Sequence, residues 1–198
     1  HYRPRFAGDD LPCGLAGCVV AVADKLDTIA GMFAIGEPPT GSKDPFALRR
    51  SAIGVINILA DRLHCGYAAL VDAALDAYLE QGLSFNKPEV AQDVCAFIKG
   101  RMEQIARDAK INSDTVAAVS HGTIEAPVDF FALAHALDDA RANDAETFEN
   151  LATAYARASH LADSSLGLDV DDASLLPVER DLLLATDAAQ DKVHAAID

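Results

Sequence analysis

The chain has 198 residues, enough to bury a hydrophobic core as one compact domain or as two small ones. Hydrophobic residues make up 51% and charged residues 24%; abundant alanine, few aromatics and no tryptophan favour helices over sheets. The net charge of −15 excludes a nucleic-acid binder with a uniformly basic surface. The longest apolar run, Cys18 to Ala23, stops at Asp24, far short of the roughly 18 residues that cross a bilayer.

The charge is unevenly spread. Up to Lys110, 12 Lys and Arg face 14 Asp and Glu, a net of −2, whereas from Ile111 onward 4 face 17, a net of −13. Any contact with RNA is therefore expected to be local and to fall in the first half. The chain lacks a methionine start, and His1 opens what reads as the middle of an element, so a piece of a longer protein is expected.

Residues 1–12 read as a polar loop punctuated by Pro and Gly. A first helix is expected over Leu15–Ala34, where Leu15, Val19, Val22, Leu26, Ile29 and Phe33 recur at three- and four-residue steps. The turn-rich stretch 36–44 breaks it. Asp44-Pro45 then reads as a helix start, with Asp capping free N–H groups and Pro at the first helical position. This second helix is expected to run to about His64, burying Leu48, Ala52, Val55, Ile56, Leu59 and Leu63.

A third helix is expected over Tyr67–Glu80, and a fourth over Pro88–Lys110 with Val90, Val94, Phe97, Ile98 and Ile105. A short turn at Asp114–Val119, helices at Val128–Arg141 and Ala145–Ala162, an acidic loop over 163–174 and a last helix from Pro177 complete the chain. No alternating strand pattern occurs, so the class is all-α: a helical body followed by the truncated start of a helical bundle. The domain break is placed at 112/113, within the window 110–127, where charge and loop content both shift.

Cys13, Cys18, Cys65 and Cys95 form no metal-ligand pattern, and the scattered histidines form no pair at zinc-helix spacing. Reduced thiols in a cytoplasmic protein are expected. There is no Gly-rich phosphate loop and no recognisable nucleophile–base pair, so no catalytic residue is assigned.

Two segments are the most informative: Arg3-Pro-Arg-Phe-Ala-Gly-Asp-Asp-Leu-Pro12, and Ala23-Asp-Lys-Leu-Asp-Thr-Ile-Ala-Gly-Met-Phe-Ala-Ile-Gly36 continuing through Pro39-Thr-Gly-Ser-Lys-Asp-Pro-Phe-Ala-Leu-Arg-Arg50. Together they resemble the β subunit of bacterial glycyl-tRNA synthetase. Phe97–Arg101 and Asp114–Val119 resemble that family's helical body, and Phe148–Leu161 resembles the first helix of its anticodon-binding domain, where Arg157 matches and most neighbours do not. The resemblance implies an α2β2 ligase of the cytoplasm, with neither membrane nor DNA as a partner. Glycine and ATP chemistry, with Mg, would belong to the α subunit, while this chain would hold no cofactor and would support binding of tRNA(Gly).

Ala23-Asp24-Lys25-Leu26 also resembles the last motif of the HD phosphohydrolase fold, whose final aspartate binds metal. Asp24 is thus either a vestigial HD-type position or a solvated carboxylate, and no metal is assigned because the other HD ligands are absent. A metal-dependent HD hydrolase fragment and a purely structural scaffold are the alternative functions. Gly17 and Gly31, seven residues either side of Asp24, are expected to admit a close-approaching chain segment or RNA backbone.

Adjacent helix residues point about 100° apart. Arg50 therefore shares an outward face with Asn57 and Asp61 and can reach a phosphate, while Arg49 sits at the edge of the buried face as a tethering charge, with a carboxylate expected beside it. Lys43, Arg3 and Arg5 are the loop cations whose charge and backbone N–H groups suit a phosphodiester; equally, Arg5 can pair with Asp9 or Asp10 and pin its loop. Arg157 stands with Asn150 and His160 on a polar helix side, either a solvated face or an RNA contact. The acidic run Asp169 to Asp172 would repel RNA.

Overall fold

The computed structural model describes residues 2–6, 8–41, 43–162, 165 and 174–197. Its elements are α1 (Leu15–Ala34), α2 (Leu48–Ile58) continued by a π-helical turn (Leu59–Leu63), α3 (Ala68–Glu80), α4 (Lys87–Asp108), α5 (Ser113–Ser120), α6 (Pro127–Asn143), α7 (Ala145–Leu161) and α8 (Pro177–Ile197). No strand occurs among the described residues; the nearest approach is one bridge between Thr40 and Lys43. The protein is all-α.

Two compact units divide the chain, His1–Phe148 and Glu149–Asp198. In the first, α1 packs on α2, α3 and α4, while α5 and α6 close against α4 and each other. Its core is continuous from Val22, Ile29 and Val55 through Leu75, Ile98 and Met102 to Val116 and Phe130. The stretch 110–127, where the charge balance changes, contains α5 and lies inside this unit. In the second unit, no described side chain is buried. The acidic run Asp169 to Asp172 lies outside the described residues.

Helix ends follow local chemistry. After α1, Gly36 takes φ 78°, and the Gly36 and Glu37 N–H groups donate to the Phe33 and Met32 carbonyls at 3.0 and 2.9 Å. This is the Schellman closure, in which a left-handed residue satisfies carbonyls that the helix leaves open. Gly82 closes α3 in the same way. The fourth helix ends two residues before the expected Lys110 because Lys110 itself is the left-handed residue, at φ 70°.

Two expectations need correction. The helix start expected at Pro45 falls at Leu48, because Asp44–Phe46 form a turn and Ala47 adopts φ 54°. The Asp44 carboxylate still supplies the cap, accepting from the Leu48 and Arg49 N–H groups at 2.7 and 3.0 Å. On α1, Leu15 and Val19 are exposed rather than buried; the buried face begins at Cys18 and continues through Ala21, Val22, Lys25, Leu26 and Ile29. The close approach expected at Gly17 and Gly31 is present and, of the two alternatives, is made by other segments of the chain. A Cβ at Gly17 would lie 3.3 Å from Pro12 Cβ, and one at Gly31 would run into the Tyr78 hydroxyl.

Candidate anion-binding cleft

Arg5, Lys25 and Arg50 line one cleft where the opening loop meets α1 and α2. Two ion pairs shape that loop: Arg3 Nη1 lies 3.1 Å from Asp10 Oδ2, and Arg5 Nε lies 3.0 Å from Asp9 Oδ2. The Arg5 backbone N–H donates to the same Asp9 oxygen at 2.8 Å. With these bonds from Arg5, the Asp9 carboxyl is held down to about 2, because donors to a carboxylate favour its charged form. The Arg5 guanidinium also stands 5.8 Å from the centre of the Phe6 ring.

Beneath the loop lies Lys25. Its place three residues after Val22 and four before Ile29 puts it on the buried stripe of α1, and only 7% of its surface is exposed. Its ammonium donates to the Arg3 carbonyl oxygen at 3.3 Å. Its stem passes over Gly54 of α2, where a Cβ would come within 2.8 Å of Lys25 Cε. Burial lowers the Lys25 pKa, and the neighbouring Asp24 charge works the other way. An ammonium has three donors, so one bond to a carbonyl leaves capacity for an anion.

Arg50 projects from α2 into the same space. Among the described residues its side chain has neither a hydrogen bond nor an ion pair, and it is exposed. Tyr2, Arg5, Asp24, Lys25, Thr28 and Arg50 line a cleft of about 320 Å³. Asp24 is exposed on its rim, and its backbone carbonyl accepts from Thr28 Oγ1 at 3.1 Å.

A second cleft of about 600 Å³ adjoins it along α2, lined by Phe6, Asp44, Arg49, Arg50 and Asn57. Arg49 is held by the loop before its helix, Nη2 donating to the Gly41 carbonyl at 2.7 Å. A carbonyl thus stands where a carboxylate was expected, and Asp44 reaches Arg49 through its backbone N–H instead.

The remaining sequence candidates lie apart. Lys43 is exposed in the Thr40–Lys43 bridge, where each residue's N–H donates to the other's carbonyl at 2.8–3.1 Å. The backbone N–H groups of Lys43 and Arg5 are therefore already satisfied, and only their side-chain charges remain to meet a phosphate. Arg157 is exposed on α7 in the second unit; Leu151 and Tyr155 of that helix are exposed as well. Lys25 is the residue that sequence reasoning passed over. The signal was present: a lysine in register with an apolar stripe.

Asp24 has Lys25 and Arg50 as neighbours in its cleft, a setting that disfavours a cation. Among the described residues, no three His, Cys, Asp or Glu side chains cluster closely enough to hold a metal ion. The four cysteines are unpaired. A separate cavity of about 550 Å³, between α1 and α3, is apolar and lined by Val19, Val22, Leu26, Leu63, Leu70 and Ala74. No helix among the described residues is long and apolar enough to cross a membrane.

Fold and site together define an all-α module that presents a compact group of cations beside a helical core. The chain belongs to the family described as glycyl-tRNA synthetase beta subunit, whose family model matches residues 1–121. It is 41% identical over 194 residues to the glycine–tRNA ligase beta subunit of Clostridioides difficile, covering 98% of this chain and 28% of that one. It is 41% identical over 192 residues to that of Tolumonas auensis, covering 96% and 27%. For the Yersinia pestis beta subunit the identity is 39% over 198 residues, covering 100% and 25%. The chain thus spans about a quarter of the length of these relatives. This family does not favour the HD phosphohydrolase reading.

Proposed function

We propose that the chain is the part of a glycine–tRNA ligase β subunit that holds tRNA(Gly) through cations of its first unit. In this reading, glycyl-tRNA formation, with its ATP and Mg, takes place on an α subunit within a cytoplasmic α2β2 assembly. The observation that carries the tRNA contact is the cleft in which Lys25 and Arg50 meet without a carboxylate at ion-pair distance among the described residues. Arg3, Arg5, Arg62, Lys87, Arg107 and Arg141 are each held by an acidic partner. Lys25 and Arg50 instead line one cleft without such a partner among the described residues, and a phosphodiester gains there from charge not already spent.

Arg3 and Arg5 have the smaller share. Each already holds an aspartate, so they shape the loop first and contribute residual field second. Lys43 extends the positive surface before α2, and Arg157 offers a separate contact in the second unit. No residue of the chain is assigned a catalytic role.

The experiment is crosslinking of tRNA(Gly) to the intact ligase, with adducts mapped by mass spectrometry. Adducts within residues 2–6 and 43–54 are expected. Adducts confined to other parts of the assembly would leave the chain as a scaffold and overturn this reading.

A further inference from the structure

The cleft under the opening loop is more specific than a positive surface. Lys25, a lysine 7% exposed as a residue, lines it, and its ammonium has one hydrogen bond among the described residues, to the Arg3 carbonyl at 3.3 Å. Arg50 and Tyr2, the latter 70% exposed, line the same cleft. Burying an ammonium without a carboxylate is costly, and a bound anion relieves that cost. An exposed aromatic ring beside paired phosphate donors is the arrangement that receives unpaired nucleotides, because a base inside a duplex has no free face to stack.

We propose that this cleft seats one backbone phosphate of an unpaired RNA strand, with Lys25 and Arg50 as its donors and the Tyr2 ring stacked on the adjoining base. The inference deepens the tRNA-holding reading above and rests on it. It assigns the cleft to single-stranded rather than helical RNA and gives Lys25 a role beyond tying the loop. Asp24 on the rim opposes the phosphate and sets a limit on how deeply a second one can enter.

The test uses the full-length subunit with its partner subunit and three probes: a fluorescein-labelled oligouridylate, a fully paired RNA duplex of equal charge, and inorganic phosphate as competitor. Lys25→Met keeps the aliphatic stem over Gly54 and removes the charge. It is expected to weaken oligouridylate binding about tenfold, the scale of one charge-assisted hydrogen bond, and to lower the salt slope by about 0.7.

Tyr2→Ala is expected to weaken the oligouridylate by a similar factor of about ten at an unchanged salt slope, with the duplex little affected. Arg50→Gln and Tyr2→Ala are exposed changes, so the result does not depend on Lys25→Met folding. If Arg50→Gln weakens both RNAs equally while Tyr2→Ala and folded Lys25→Met leave both unchanged, the unpaired-strand site is overturned and the tRNA-holding reading survives. If all three variants bind every RNA as the parent does, both readings fall. Displacement of the oligouridylate by inorganic phosphate at its own affinity for the cleft, with Tyr2→Ala without effect, would make this a free-anion site and also overturn the proposal.

Discussion

The stem of Lys25 runs across Gly54 so closely that a Cβ there would stand 2.8 Å from Lys25 Cε and 3.3 Å from Pro4 Cγ. One glycine of α2 therefore sets the height of the cleft floor and of the loop above it. Alanine at this helical position gains about 1 kcal/mol in propensity, against about 1–3 kcal/mol for overpacking. Gly54→Ala is expected to be destabilising, by up to about 2 kcal/mol net in denaturant unfolding. Combining it with Lys25→Ala should recover part of the loss, since residues in contact couple.

Asp44 caps α2 from outside the helix, through bonds of 2.7 and 3.0 Å to the Leu48 and Arg49 N–H groups. Asp44→Ala should cost about 1 kcal/mol, read as a fall in unfolding midpoint. Asp44→Asn, which keeps one acceptor, should cost less. Equal losses would show that the carboxylate does not act as a cap.

The opening loop carries its own pH signature. Asp9 titrates at about 2 in the folded protein, below the ordinary aspartate value of about 3.9. A depressed carboxyl contributes stability that is present above the unfolded value and is lost as pH falls through the folded one. The Arg5 amide resonance should therefore hold steady down to about pH 4 and shift with a midpoint near 2. In Asp9→Asn that transition should disappear.

Phe130 of α6 is 1% exposed in the same core as Ile29 of α1. Truncating such a side chain costs about 3–5 kcal/mol. Phe130→Ala should destabilise the whole first unit in one transition, monitored by hydrogen exchange in α1 and α4. Loss of protection restricted to α5 and α6 would place the cooperative boundary near 110–127 instead.

Helix positions were largely legible in the sequence because amphipathic periodicity and turn residues act locally. The stripe from Val22 to Ile29 and the breaks at Gly36 and Gly82 needed no tertiary knowledge. What escaped depends on contacts between distant segments. Leu15 and Val19 continue the stripe in register, yet neither is buried. Asp44 looked like an adjacent cap, and the left-handed Ala47 moved the helix three residues onward. Lys25 was hidden for the converse reason: its burial follows from the loop that covers it, and its proximity to Arg50 joins positions 25 residues apart. The ion pairs of Arg3 and Arg5 were foreseeable as alternatives, but only the folded loop decides which aspartate each takes.

Charge reversal on the exposed cations tests the central claim most directly. In the intact ligase, the affinity for tRNA(Gly) is measured for Arg50→Glu and Lys43→Glu beside glycine-dependent ATP–pyrophosphate exchange, which needs no tRNA. The expected result is about tenfold or greater loss of tRNA affinity for Arg50→Glu, a smaller loss for Lys43→Glu, and exchange retained in both. Unchanged tRNA affinity in both variants would contradict the account.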